Sequence, residues 1–193
     1  MAETAKSKLI KAMQSLIRSG DYPDATVEEI ASAAGVTKTV FKKTFDTKEV
    51  LGVAAIEELY RRRTEMIYSG PHMETVDPIK RIFRYLKHVE SQAKQIYGYG
   101  SLLGIVAMDA SDASPAIRDS LRSLFEAAIS DSAEIFAPGL MEVGITMPTA
   151  ENLAEQFLAT LEGSILLALL NNDWRHIATA VSQFREYVKQ LLR

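Results

Sequence analysis

The chain has 193 residues, of which 47% are hydrophobic and 24% are charged, with a formal net charge of −3. This composition is typical of a globular protein with enough chain for a small head and one larger domain. The negative net charge argues against nonspecific coating of nucleic acid, and the lack of cysteine excludes disulfides, thiolate metal sites and a cysteine redox switch.

Targeting and membrane signals are weak throughout the sequence. The longest uninterrupted apolar run, Ile165 to Leu170, has six residues, far fewer than the roughly 20 that a membrane span needs. Residues 1–11 are polar and rich in lysine, so the sequence predicts no signal peptide. We therefore expect a cytoplasmic protein that does not interact with a membrane.

The first predicted helix covers residues 6–19, and the segment from Thr26 to Leu51 then predicts two short helices joined by a glycine turn. Thr26 and Glu29 have the spacing of a capping box at the start of the first short helix. Gly35 ends that helix, and Thr37 is a second N-cap. This arrangement is the helix-turn-helix that places a helix in the DNA major groove.

The second short helix predicts a surface suited to DNA. Its apolar residues Val40, Phe41 and Phe45 point inward, which leaves lysines and hydroxyls outside to meet phosphates and base edges. Lys48 opposes the dipole at the start of the next helix, so we expect it to face a phosphate. Glycine-turned helix pairs without DNA binding are the alternative. The predicted DNA contacts are Thr26, Thr37, Lys38, Thr39, Lys42, Lys43, Thr44 and Lys48.

At these residues the sequence resembles the tetracycline-repressor (TetR) family. The resemblance covers roughly residues 6–60 and rests on Ala34-Gly35-Val36-Thr37-Lys38, followed by Phe41, Phe45, Lys48-Glu49 and Leu51. Two positions depart from the family pattern. Thr39 stands where a small residue is usual, and Lys42 replaces a tyrosine that typically touches a phosphate. The resemblance implies an all-α protein with a three-helix DNA-binding head at 1–51 and an effector-binding and dimerisation domain at 52–193.

The rest of the chain carries helix signals. A long helix is predicted from Thr47 to about Tyr68, and its run Arg61-Arg62-Arg63 is interpreted as a solvated face paired with glutamates, or else a DNA-facing patch. Later helices are predicted to start at Asp77-Pro78, Ser114-Pro115 and Thr149, the last running to Leu170. We expect Pro138-Gly139 and Met147-Pro148 to bracket a loop and Asp173 to cap the final helix.

The final helix carries a heptad-like apolar seam. Its members are Ile177, Val181, Phe184, Val188 and Leu191. The preceding helix is apolar around most of its circumference, which favours burial on more than one side. We expect the two helices, within 150–192, to pair with a second copy as a four-helix bundle, as in the family that the sequence resembles. A hairpin buried within its own domain is the alternative.

An effector site is expected between the connecting helix and those that follow it, as in members of the TetR family. Three glycines within the segment from Gln95 to Met108 weaken a helix, and aromatic and flexible apolar side chains surround them. The residues predicted to bind the ligand are Met66, Phe83, Tyr97, Leu103 and Met108; plain core is the alternative role for each. Because we find no charged cluster here, we expect a small apolar or aromatic effector.

Other chemistry is sparse in the sequence. His72, His88 and His176 are isolated, and no metal site, cofactor motif or catalytic constellation is recognised. We therefore predict a DNA-binding transcriptional regulator, a ligand-released homodimeric repressor of a palindromic operator, that is not an enzyme. The alternatives are a helical enzyme that binds a small molecule and an interaction adaptor that binds only proteins.

Overall fold

A computed structural model of the chain describes residues 3–97 and 114–193, and every regular element within these ranges is an α-helix. The prediction of an all-α protein is confirmed. The helices are α1 (Ala5–Ser19), α2 (Val27–Ala33), α3 (Lys38–Thr44), α4 (Lys48–Tyr68), α5 (Pro78–Ser91), α6 (Ala93–Tyr97), α7 (Pro115–Glu142), α8 (Ala150–Asn171) and α9 (Arg175–Leu191).

The described residues form two compact units. The first contains residues 3–61 and 114–124, and the second contains 62–97 and 125–193. The helices α4 and α7 therefore each contribute residues to both units. This structural division lies ten residues beyond the predicted boundary at Leu51, because α4 continues without a break.

The first unit packs three helices that are too short to be stable alone. The capping box between Thr26 and Glu29 is present at the start of α2, and Gly35 has the positive φ of 63° that a left-handed turn requires. The Gln14 side-chain amide donates to the Ala55 carbonyl at 3.1 Å in the interior. The fully buried side chains around it include Leu9, Met13, Ile30, Phe41 and Leu51.

The second unit is built around an aromatic core. Rings from α5, α7, α8 and α9 lie with their centroids between 4.9 and 6.3 Å apart, at tilted or edge-to-face angles. These rings belong to Tyr85, Phe136, Phe157 and Phe184. The helix α9 packs on both α5 and α8, so this unit closes its own interior.

The heptad-like seam of α9 faces that interior. Ile177, Val181 and Val188 are 0% exposed and Phe184 is 5% exposed within the single chain. The prediction that the seam pairs with a second copy is therefore wrong, because α5 and α8 already cover it. If α9 contacts another chain, it must do so through a face other than this seam.

Two predicted helix boundaries are also corrected. Pro138-Gly139 does not end a helix, because α7 continues through both residues to Glu142. Pro138 has no amide hydrogen to donate to the Glu134 carbonyl, but both residues are exposed to solvent. Phe136 and Leu140 are buried and hold the segment in place. The N-cap of α9 is Trp174 rather than Asp173, although the Asp173 carboxylate accepts from the Arg175 amide at 3.0 Å.

Among the described residues, α8 has the length and composition of a membrane-crossing helix, with a mean hydropathy of 1.5. Of its most apolar window, 44% is buried inside the protein. The core helix of a soluble protein meets the same two criteria, so this property is weak support for a membrane span.

Candidate nucleic-acid interface and effector site

The helix α3 presents its polar side to solvent. Thr37 caps the helix by accepting from the Val40 amide at 3.2 Å, and Phe41 anchors the opposite side with no exposed surface. The exposed residues are Lys38, Thr39, Lys42 and Lys43, and they follow one another at the spacing of a single helix face. We call these four residues the α3 face.

The lysines of the α3 face have different partners. The Lys38 amine forms an ion pair with the Glu28 carboxylate of α2, and this hydrogen bond holds the pKa of Glu28 below its usual value. The Lys42 amine donates to the Asp46 carbonyl at 3.0 Å. Within the described residues the amine of Lys43 has no hydrogen bond or ion pair. The Lys43 amine is therefore available to an anion, whereas an anion would have to compete with Glu28 for the Lys38 amine.

Besides Thr37, two more of the predicted threonines are occupied by local hydrogen bonds. The Thr26 hydroxyl accepts from the Glu29 amide at 3.3 Å and donates to its carboxylate at 2.8 Å. The half-buried Thr44 hydroxyl donates to the Val40 carbonyl at 2.7 Å. Thr26 remains exposed at the start of α2, whereas Thr44 lies at the edge of the α3 face.

Lys48 ties the start of α4 to the link between α1 and α2. Its amine donates to the Tyr22 carbonyl at 3.2 Å and to the Pro23 carbonyl at 2.9 Å, and it lies 5.0 Å from the centre of the Tyr22 ring. Lys48 therefore does not require a phosphate at this position, because these acceptors already satisfy its amine. Their separation of 25 and 26 residues along the chain hides them from helical periodicity.

A charged cluster lies inside the second unit. Arg63 donates to Glu162 Oε1 at 3.2 Å, and its guanidinium lies 4.9 Å from the centre of the Tyr97 ring. Burial lowers the pKa of Arg63, but Tyr97 and Glu162 more than offset this, so the guanidinium stays charged. We call Arg63, Tyr97 and Glu162 the Arg63 cluster.

Comparison with known proteins places this architecture in a family. A model of the C-terminal domain of LmrA/YxaF-like transcriptional regulators, a TetR-type domain, matches residues 78–183, more than half of the chain. The chain belongs to the TetR family of transcriptional regulators. It is therefore a DNA-binding transcriptional regulator, and the predicted family and general function are confirmed.

Individual TetR-type proteins resemble the chain over most of its length. It is 27% identical over 146 residues to the HTH-type transcriptional repressor DhaR of Mycobacterium sp. (strain GP1), covering 75% of this chain and 72% of that protein. A TetR regulator from Chloroflexus aurantiacus has a TM-score of 0.82 at 20% identity, covering 96% and 94% of the two chains. For the regulatory protein TetR from Rhodobacter sphaeroides the TM-score is 0.77 at 22% identity, with coverage of 95% and 98%.

The predicted effector residues divide into three groups. Leu103 and Met108 lie outside the described residues. Tyr97 is buried in the core cluster of the second unit, and Phe83 packs half-buried against that cluster. Met66 is half-buried on α4, where its carbonyl accepts from the Ser69 hydroxyl at 2.8 Å. The structure thus brings Tyr97 and Phe83 to one core.

The expectation that no charge lines this region is wrong at Tyr97, because Arg63 and Glu162 lie beside it. The sequence pattern predicts that Arg61, Arg62 and Arg63 all lie at the surface. Arg61 does pair with Glu58 there, but Arg63 turns inward. A signal was present, since Arg63 follows Ile56 by seven residues and precedes Ile67 by four, on the buried stripe of α4.

His72 and His88 are not isolated. Their ring centroids lie 5.6 Å apart, and His72 is 0% exposed with no hydrogen bond to either ring nitrogen among the described residues. Burial, reinforced by His88 and Arg81, lowers the pKa of His72 to about 4. His72 is therefore neutral at pH 7. His88 Nε2 lies 3.0 Å from the Met66 carbonyl, which requires the proton on that nitrogen.

Proposed function

We propose that the protein is a ligand-released homodimeric repressor of a palindromic operator, with DNA binding in residues 1–51 and effector binding and dimerisation in 52–193. The observation that carries the DNA-binding part is the α3 face, a set of exposed lysine and threonine side chains on the second helix of a helix-turn-helix. The matching relative DhaR, which its name describes as a repressor, supports the sign of regulation.

The residues of the helix-turn-helix divide by the groups that they can offer to DNA. Lys38 and Thr39 lie in the first turn of α3, the part of a recognition helix that contacts base edges. Lys42 and Lys43 lie one turn later and are assigned to phosphates, with Lys48 flanking them. Thr26 and Thr37 are assigned to phosphates at the margin of this surface, where a phosphate must compete with the hydrogen bonds that their hydroxyls make to Glu29 and to the Val40 amide.

The homodimer is assigned to the outward faces of α8 and α9. Between these helices an open groove of about 700 Å³ is lined mostly by small or uncharged side chains. Leu167 at its edge is 48% exposed, and nothing lies within 4 Å of the position of a Cβ on Gly163, so a second helix can approach closely. The uncharged part of this lining also includes Ala159, Thr160, Ser164, Thr179, Ala180 and Gln183.

Release is assigned to α4, which carries Lys48 at its start and Arg63 near its end. A ligand that prefers one tilt of this helix shifts the population toward that tilt, and a 100-fold preference corresponds to about 2.7 kcal/mol per site. Since the helix belongs to both units, a tilt would change the separation of two heads in a dimer.

The experiment that tests this proposal begins with selection of bound fragments from genomic DNA. Fluorescence anisotropy then measures affinity for the selected site and for a scrambled site of equal length. We expect tight binding to a site with two inverted half-sites whose centres are about 34–36 Å apart, or a multiple of this distance. Equal affinity for selected and scrambled DNA at the same salt concentration would reject sequence-specific regulation by this chain.

A further inference from the structure

The strongest unexplained feature of the second unit is a pair of buried polar atoms without partners. Tyr97 is 1% exposed, and its hydroxyl has no hydrogen bond within the described residues. Glu162 uses Oε1 for Arg63, while its buried Oε2 also lacks a partner. The nearby Tyr85 hydroxyl, by contrast, pairs with the Ser132 hydroxyl at 3.1 Å. Buried polar groups are rarely left unpaired without a functional reason.

Both unpaired atoms belong to side chains that touch the same guanidinium. Arg63 binds the other oxygen of Glu162 at 3.2 Å and stacks at 4.9 Å from the Tyr97 ring centre. The guanidinium and the carboxylate compensate each other's charge, so the cluster as a whole is close to neutral. It offers a free carboxylate acceptor at Glu162 and a hydroxyl at Tyr97 that can donate or accept.

These groups select one chemical class of ligand. A ligand carboxylate would be attracted by Arg63 but repelled by Glu162. A ligand ammonium would be attracted by Glu162 but repelled by Arg63. A neutral hydroxyl matches the chemistry of both unpaired atoms, since it can donate to Glu162 Oε2 and can accept from the Tyr97 hydroxyl. The surrounding core, which includes Tyr85 and Phe157, requires that the rest of such a molecule be apolar.

We infer that the effector is a neutral, largely apolar molecule with a hydroxyl group, and that this hydroxyl binds between Tyr97 and Glu162 of the Arg63 cluster. The inference rests on the proposed function, because it takes the bound molecule to be the effector. A ligand bound at this cluster would also contact α4 directly, because Arg63 lies on that helix.

The test is calorimetric titration of the full-length protein, without DNA, with three probes of one shape: 2-naphthol, its methyl ether and 2-naphthoate. We expect 2-naphthol to bind at least about tenfold more tightly than the other two, because only its hydroxyl both donates and accepts while remaining neutral. Equal binding of the ether or of the carboxylate overturns the inference, and so does failure of 2-naphthol to bind at millimolar concentration.

Variants identify the site. Tyr97→Phe and Glu162→Gln should each weaken 2-naphthol binding about tenfold and leave the ether unaffected. Glu74→Gln makes the same carboxylate-to-amide change at an exposed position outside α8 and α9 and should behave as wild type. Far-UV circular dichroism and melting temperature establish that each variant is folded, and Tyr97→Phe retains the ring if Glu162→Gln is unstable. Wild-type 2-naphthol affinity in a folded Tyr97→Phe protein overturns the inference.

Operator measurements separate this inference from the proposed function. If the wild type binds 2-naphthol as expected but recognises no operator, the proposed function fails and the binding site stands. If an effector releases the operator from Tyr97→Phe and Glu162→Gln at the wild-type concentration, the proposed function stands and the inference fails.

Discussion

At the scale of single residues, the α3 face separates lysines that are free from lysines that are occupied. Lys43 has no partner among the described residues, whereas Lys38 and Lys42 hold Glu28 and the Asp46 carbonyl. Charge alone therefore does not rank their contributions. The amine that gives up least on binding DNA is Lys43.

We expect Lys43→Ala and Lys42→Ala each to weaken operator binding and to make the salt dependence shallower by about one unit, because each removes one phosphate contact. Lys38→Ala and Thr39→Ala should instead change base preference, by about 1–3 kcal/mol for a good contact. Anisotropy titrations at two salt concentrations check both, with Lys94→Ala on α6 as the control. Wild-type affinity and slope in all four variants would contradict these assignments.

Lys48→Ala should behave differently from the α3 face variants. It removes two hydrogen bonds that hold the α1–α2 link to α4, so the melting temperature should fall together with operator affinity. A Lys48→Arg variant retains the charge and several donors and should recover part of both. A loss of affinity at unchanged melting temperature would show that Lys48 serves DNA alone.

His72 predicts a dependence of stability on pH. Its pKa in the folded protein is about 4, below the usual 6.5. Between these two pH values His72 is therefore protonated in the unfolded chain and neutral in the folded protein. The stability associated with neutral His72 is complete above about pH 6.5 and should fall progressively as the pH decreases toward 4. The groups facing His72 include His88, Arg81, Tyr68 and Tyr85.

Urea midpoints measured at pH 7.5 and pH 5 check this dependence. His72→Gln should flatten the difference between the two midpoints, while the control His176→Gln, in a half-buried position on α9, should keep it. An unchanged difference in folded His72→Gln would assign the pH dependence to other groups.

At the scale of helices, caps and local periodicity were readable from the sequence, whereas the partner of each face was not. Thr26, Thr37, Asp77 and Thr149 all cap helices as their residue types and positions predict. The seam of α9 was also recognised, but an apolar stripe has the same spacing whether it meets α5 or a second chain. Only the tertiary structure distinguishes these two partners.

Burial of the α9 seam within the single chain changes the expected behaviour of variants in this helix. Val188→Asp and Phe184→Asp place a charge in the closed core, so we expect each to destabilise the folded chain by at least about 3 kcal/mol. The loss should appear as unfolding in circular dichroism. A folded, monomeric Val188→Asp protein would return the seam to an interface between chains.

The helix α7 shows a second limit of local rules. Proline and glycine side by side predict the end of a helix, yet α7 continues and Gly139 lies against α5. A Cβ there would lie 2.5 Å from Ile82 Cδ1, inside the core. Packing across the second unit therefore requires a residue without a side chain at position 139, and this contact is not visible in the neighbouring sequence.

At the scale of the whole molecule, we expect a dimer formed by the outward faces of α8 and α9. Leu167→Asp should dissociate it while changing the stability of each chain by less than about 1 kcal/mol, because Leu167 is already 48% exposed. Sedimentation at micromolar concentration measures the state, and Val76→Asp, at a position that is 91% exposed, is the matched control. A wild-type chain that sediments as a monomer would contradict the interface.

The function was predictable at this scale because the helix-turn-helix is local in sequence, with its caps, glycine turn and basic face inside 26 residues, Thr26 to Leu51. The effector region was less predictable. Arg63 and Glu162 are 99 residues apart and meet only in the folded second unit. Sequence patterns therefore identified the aromatic part of the site and missed its charged part.

In the first unit, the Glu28 carboxylate would compete with DNA for the Lys38 amine, because the two side chains form an ion pair. Any duplex must displace or tolerate the Glu28 carboxylate, which repels the phosphates of matched and random DNA alike. A base edge that accepts from Lys38 would replace the lost hydrogen bond to Glu28, and random sites would usually lack such a base. The repulsion by Glu28 should therefore weaken binding most at random genomic sites. On the proposed role of Lys38, we therefore expect Glu28 to lower the affinity for random DNA more than the affinity for the operator.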